Sequence, residues 1–221
     1  MSFNRDIQID PNRVQTRSGG GRGAMIGGGS ILTVIAVVLI SQLTGVDLTS
    51  MLGAQQQTGT TTSTASSIDT SVCTSGDSAN KYTQCRMVAT AESLDAVWTE
   101  QLPSQAGLKY AKPEFVLWDG TQISSACGSA SSAVGPFYCS GDRTVYLDMS
   151  FFSEMERSLG AADTPLAEEY IVAHEFGHHI QHLTGQMAKA DRSGSGATSD
   201  SVRLELQADC YAGIWVNHAS S

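Results

Sequence analysis

His174-Glu175-Phe176-Gly177-His178 decides how this chain must fold around its chemistry. Histidines four residues apart on a helix lie one above the other on a single face, so both imidazoles can reach one metal ion. The glutamate between them is placed to take a proton from a water beside that ion. The five residues therefore predict a helix, a zinc ion (Zn2+) held by His174 and His178, a third ligand elsewhere, and a general-base role for Glu175.

Working outward, Thr164 suits a helix N-cap, Pro165 its first position and Gly185 its end. Leu166, Tyr170, Ala173, Phe176, Gly177, Ile180 and Leu183 recur at helical spacing and predict a core face beside the two histidines. A polar loop, KADRSGSGATSDS over 189–201, separates this helix from a last one starting near Asp200 and running through Leu204, Ala208, Tyr211, Ala212 and Trp215.

Three candidates compete for the third ligand. His182 lies one more turn along the same helix, and three ligands from one straight helix converge poorly on a tetrahedral ion. The longer pattern H-E-x-x-H-x-x-G-x-x-H fails, because Gln181 and Thr184 stand at its glycine and histidine positions. Glu205 remains, in Glu205-Leu206-Gln207-Ala208-Asp209. A carboxylate with two imidazoles is a common hydrolase set. Asp209 shares the face of Glu205 and is expected to accept the free ring N–H of a ligand histidine. His179 is expected at the surface or helix end, and His182 in a simple polar role.

The other elements are less marked. A helix is expected over 86–101, ended by Pro103, and a strand at Phe115-Val116-Leu117-Trp118, closed by Asp119-Gly120. Phe137-Tyr138-Cys139 and Thr144-Val145-Tyr146-Leu147-Asp148 suit a hairpin, followed by a short helix over 150–159. The class is α+β, with a small sheet. Val145–Asp148 is the expected edge strand for an extended substrate. Tyr211 and His218 are the downstream candidates for stabilising an oxyanion.

Residues 24–43, AMIGGGSILTVIAVVLISQL, are twenty positions without a charge, long enough to cross a bilayer as one helix, and a transmembrane span is expected over 24–45. The segment 1–23 before it carries Arg5, Arg13, Arg17 and Arg22 against two aspartates and is expected as a cytoplasmic tail; the next basic residue is Lys81. The positive-inside rule then puts the body outside the cytoplasm. Residues 46–71, rich in Gln, Thr and Ser, read as a flexible linker, and 72–221 as the folded domain. Of five cysteines, Cys73 and Cys85, and Cys127 and Cys139, form local pairs; disulfides Cys73–Cys85 and Cys127–Cys139 are the favoured one of three pairings in an oxidising compartment. The net charge of -9 argues against nucleic acid as a partner.

Several motifs together resemble the bacterial neutral zinc metallopeptidase family: Cys127-Gly128-Ser129-Ala130, Pro136-Phe137-Tyr138-Cys139, Asp142 to Asp148, His174 to His179, and Glu205 to Gly213. The resemblance implies a zincin-like domain behind one transmembrane helix in the bacterial cell membrane. It also implies zinc at His174, His178 and Glu205, catalysis by Glu175, and peptide or protein substrates. Similar proteins continue for several tens of residues past the Glu205 helix, a segment expected to finish the cleft wall and to offer a cysteine for Cys210; the resemblance implies that this chain is either a fragment or incomplete at its site. The alternative is a zinc-binding, non-proteolytic envelope scaffold or partner-binding protein. That reading is favoured where ligands persist without the glutamate, and Glu175 is present.

Overall fold

The computed structural model describes residues 2–18, 68–120, 122–159, 164–191, 193–194 and 196–219. The expected membrane span over 24–45 and most of the linker lie outside these residues. Among the described residues no helix is long and apolar enough to cross a membrane.

A mixed sheet forms the centre, in the order β1 (Gln15–Ser18), β2 (Glu114–Asp119), β6 (Thr144–Asp148), β5 (Phe137–Cys139). β1, β2 and β6 run parallel, and β5 returns antiparallel beside β6. Phe115, Val116, Leu117 and Trp118 are all fully buried, as befits a strand covered on both faces. Phe115 and Leu117 point with Val145 and Leu147 into the main core, under the helices. Val116 and Trp118 point with Tyr146 to the other face, which is covered by a hairpin of β3 (Gln122–Ser125) and β4 (Gly128–Ser131). The disulfide Cys127–Cys139 ties that hairpin to β5. Cys73–Cys85 ties the chain's entry to the helix behind it, so both favoured pairings are observed.

The helical layer holds α1 (Gly76–Lys81), α2 (Thr83–Ala106), α3 (Phe151–Leu159), α4 (Pro165–Leu183), α5 (Gln186–Lys189) and α6 (Asp200–Ala219). α2 runs past Pro103, which was expected to end it. Proline costs a helix one amide donor and a clash one turn back, and here it sits in the last turn, where Gly107 in the left-handed region (φ 65°) closes the helix by donating to the Pro103 carbonyl. α4 packs on the sheet through Phe176, whose ring meets Phe115 edge-on at 6.1 Å.

The chain's beginning departs from expectation. Ser2 to Ser18 do not form a separate tail but part of the folded body. β1 adds to the sheet beside β2, and Ile9 and Val14 are buried in the main core. Asn80 clasps the Phe3 backbone from both sides, its Oδ1 accepting from Phe3 N and its Nδ2 donating to Phe3 O, each at 2.8 Å. A Cβ on Gly76 would lie 1.9 Å from Asn4 O, so only glycine admits the segment there. Arg13 forks onto Asp95 at 2.6 and 3.2 Å, and its guanidinium lies 5.8 Å from the centroid of the Phe176 ring. Composition hid this docking, because three arginines and few apolar residues read as solvated chain. The expected single crossing lies outside the described residues; the segments that flank it pack together.

Candidate metal centre

α4 begins as its residues dictate. The Thr164 side chain accepts from Ala167 N, Pro165 takes the first turn, and Gly185 follows in the left-handed region (φ 73°). The helix then presents His174 and His178 on one face, their rings 4.8 Å apart and perpendicular.

α6 supplies the remainder of the site because it approaches α4 unusually closely. The contact point is Gly177 against Ala208. A Cβ on Gly177 would lie 2.8 Å from Ala208 O and 2.9 Å from its Cα. Glu205 sits one turn before Ala208 and reaches both histidines: its Oε2 is 3.2 Å from His174 Nε2 and 3.4 Å from His178 Nε2. One ligand atom from each of His174, His178 and Glu205 falls within 4.8 Å of the others. The sequence-predicted third ligand is thus brought to the pair.

The outer contacts set which ring nitrogen faces inward. His174 Nδ1 lies 2.8 Å from Asp209 Oδ1, one turn after Glu205, as the shared face predicts. Asp209 also accepts from the Tyr170 hydroxyl at 3.2 Å. His178 Nδ1 lies 2.9 Å from Gln181 Oε1. Neither Tyr170 nor Gln181 was singled out as functional from the sequence. The signal was their spacing, one turn before His174 and one after His178.

Mutual hydrogen bonds set the electrostatics of the cluster. Burial opposes charge on His174, but its bonds to Asp209 and Glu205 outweigh that and raise it to about 10. Burial likewise opposes charge on Glu205, yet bonds from both imidazoles pull it down to about 2. The other Glu205 oxygen, Oε1, is buried with no hydrogen-bond partner among the described residues, although it stands beside two imidazoles. Two imidazoles and a carboxylate with one orphaned oxygen fit a zinc ion. Burial pushes the Glu175 carboxyl up, while His178 and His174 pull it down and a backbone hydrogen bond from Tyr138 favours its ionised form.

Other sequence expectations meet a mixed outcome. His179 is not at the surface. It is fully buried, with Nδ1 2.9 Å from the Tyr138 hydroxyl and Nε2 2.6 Å from Ala111 O. His182 takes the expected polar role, 3.2 Å from the same hydroxyl. Together they fasten β5 to α4. Val145 to Asp148 belong to β6, which is paired on both sides; the strand at the sheet's border next to α4 is β5. Tyr211 packs edge-on to Trp98 at 5.5 Å, and His218 Nδ1 donates to Ile214 O of its own helix. Cys210 is a free, exposed thiol.

A family model described as "Putative neutral zinc metallopeptidase" matches residues 5–221. This chain belongs to that family. Among curated proteins, the uncharacterized protein Rv2575 of Mycobacterium tuberculosis is 46% identical over 181 residues, covering 82% of this chain and 59% of the relative. The uncharacterized protein YpfJ of Escherichia coli is 38% identical over 196 residues, covering 85% of this chain and 62% of the relative. This family member therefore spans about 60% of the length of the curated relatives it matches. No solved structure matches it.

Proposed function

We propose that this chain is the zinc-binding part of a membrane-associated metallopeptidase that hydrolyses peptide bonds in extended segments of protein. The observation that carries the reading is the convergence of His174, His178 and Glu205 with Glu175 buried beside them. Zinc held by these three residues would polarise the scissile carbonyl and lower the pKa of a water to about 7. Glu175 accepts that water's proton and returns it to the leaving amine. Its burial supports the role, since a carboxyl pushed up from its ordinary value both takes and gives a proton near neutrality. Asp209 holds His174 in the tautomer that presents Nε2 inward. The border strand β5, next to α4, is where an extended substrate adds to the sheet by backbone hydrogen bonds.

The two disulfides support an oxidising, extracytoplasmic location. The apolar stretch over 24–45 supports attachment to the bacterial cell membrane.

Elemental analysis of the purified chain should give one zinc per chain, and cleavage of an unfolded protein should stop with a chelator. Glu175→Gln should keep the metal and lose cleavage. Cleavage by that variant would remove the general base, and stoichiometric zinc without any cleavage by the native chain would favour the non-proteolytic scaffold.

A further inference from the structure

We propose that Gln181 fixes His178 as a ligand: it holds the Nδ1 proton, leaves Nε2 for the cation, and does so through the backbone of the helix that carries Glu205. The inference rests on the metal-site reading above and deepens it.

Donor and acceptor logic leads to the role in three steps. Gln181 is completely buried, and its side-chain amide bridges two groups. One is the Leu204 carbonyl on α6, which can only accept, so the amide end facing it must be the NH2. That orientation turns Oε1 toward His178 Nδ1, 2.9 Å away. An amide oxygen also only accepts, so Nδ1 must be the nitrogen that bears hydrogen. A neutral imidazole protonated at Nδ1 offers its lone pair at Nε2, the nitrogen that lies 3.4 Å from Glu205 Oε2.

The same bridge couples ligand orientation to helix packing. Leu204 immediately precedes Glu205, so one amide sets the tautomer of the second ligand and pins the backbone next to the third. His174 is held differently, by the Asp209 carboxylate, whose side chain is 40% exposed. An anion can serve there because water reaches it. At the buried position beside His178 a further carboxylate would share a low-dielectric pocket with Glu175 and Glu205, and mutual repulsion would disfavour it. A neutral amide orients the ring without adding charge. Gln181 is thus a positioning residue that acts through His178.

The test has two parts, both on the full chain. In zinc-loaded protein carrying 15N-labelled histidine, His178 should show a proton on Nδ1 and metal on Nε2. The resonances are assigned by their loss in His178→Gln. Ligation through Nδ1 overturns the proposal and needs no Gln181 variant. Gln181→Leu should weaken zinc binding about 10–100-fold in competition with a chelator. It should also speed solvent exchange of the His178 ring proton. Gln181→Glu, which keeps an acceptor oxygen, should recover part of the affinity and the slow exchange. Native affinity in Gln181→Leu removes the role of Gln181 alone, whereas a native chain that binds no zinc overturns the metal-site reading as well.

Discussion

His179 shows how a single residue can be misplaced by its neighbours in sequence. It follows the second ligand directly, yet it sits about 100° further round α4 and is buried between Tyr138 and the Ala111 carbonyl. Burial is the main cause that lowers its pKa to about 4. An unfolded histidine titrates near 6.5, so above that pH both states are neutral and the group adds no pH dependence. As pH falls from about 6.5 toward 4, the unfolded chain gains a proton that the folded one refuses, and stability should drop by up to about 3 kcal/mol. Urea midpoints at pH 7 and pH 5 should differ accordingly, and His179→Asn should flatten the difference. His174 has the opposite sign. Without metal it stays protonated to about 10, so zinc must displace a proton at neutral pH. Calorimetry in buffers of different ionisation enthalpy should register proton release, and zinc affinity should rise from pH 7 to 9; equal heats in all buffers would contradict the protonated pair.

At the scale of elements, the site depends on how closely α4 and α6 approach. Gly177, an unspecified position of the five-residue motif, is the residue that permits it. Gly177→Ala puts a methyl carbon where Ala208 already stands, and helix backbone cannot yield as a flexible side chain would. Overpacking of this kind costs about 1–3 kcal/mol. The variant should therefore lose thermal stability, and it should also lose zinc affinity, because the displaced helix carries Glu205. Unchanged metal binding in a destabilised Gly177→Ala would mean that α6 can shift without moving its carboxylate. A second joint lies behind α4, where Arg13 of the leading segment forks onto Asp95, with side chains 10% and 4% exposed. Asp95 also accepts from the Tyr110 hydroxyl at 2.9 Å and lies 3.2 Å from the exposed Lys112 Nζ, so removing the guanidinium takes away its buried cation and leaves it a hydroxyl and an exposed ammonium. Arg13→Ala should cost about 1.5–3 kcal/mol and expose Ser2 to Ser18 to proteolysis.

The whole molecule adds a constraint on location. Ser2 to Ser18 share one core with Ile68 to Ala219, and this packing predicts that both flanks of the apolar stretch lie on the same face of any membrane. A membrane-impermeant maleimide applied to intact cells tests this with two thiols. One is the native, exposed Cys210; the other is Arg5→Cys in a Cys210→Ser background, at a side chain 82% exposed. Both should react or both should stay silent. Reaction of only one would restore the single crossing and undock the leading strand.

What the residues alone determined is whatever is local. The H-E-x-x-H helix with its Thr164 cap, the hairpin of β5 and β6, and the two disulfides at twelve-residue spacing depend on neighbours along the chain, where period and capping chemistry act directly. Glu205 and Asp209 were also readable, because two carboxylates one turn apart on the next helix complete a ligand set whose other half was known. Only tertiary structure decided the remainder. The parallel pairing of β1 with β2 joins residues about a hundred positions apart, and no local pattern encodes a parallel partner. The same is true of His179 turning inward, of β5 rather than β6 lying at the border, and of Gln181 bridging two helices. Each depends on what packs opposite, and that is set by the shared core.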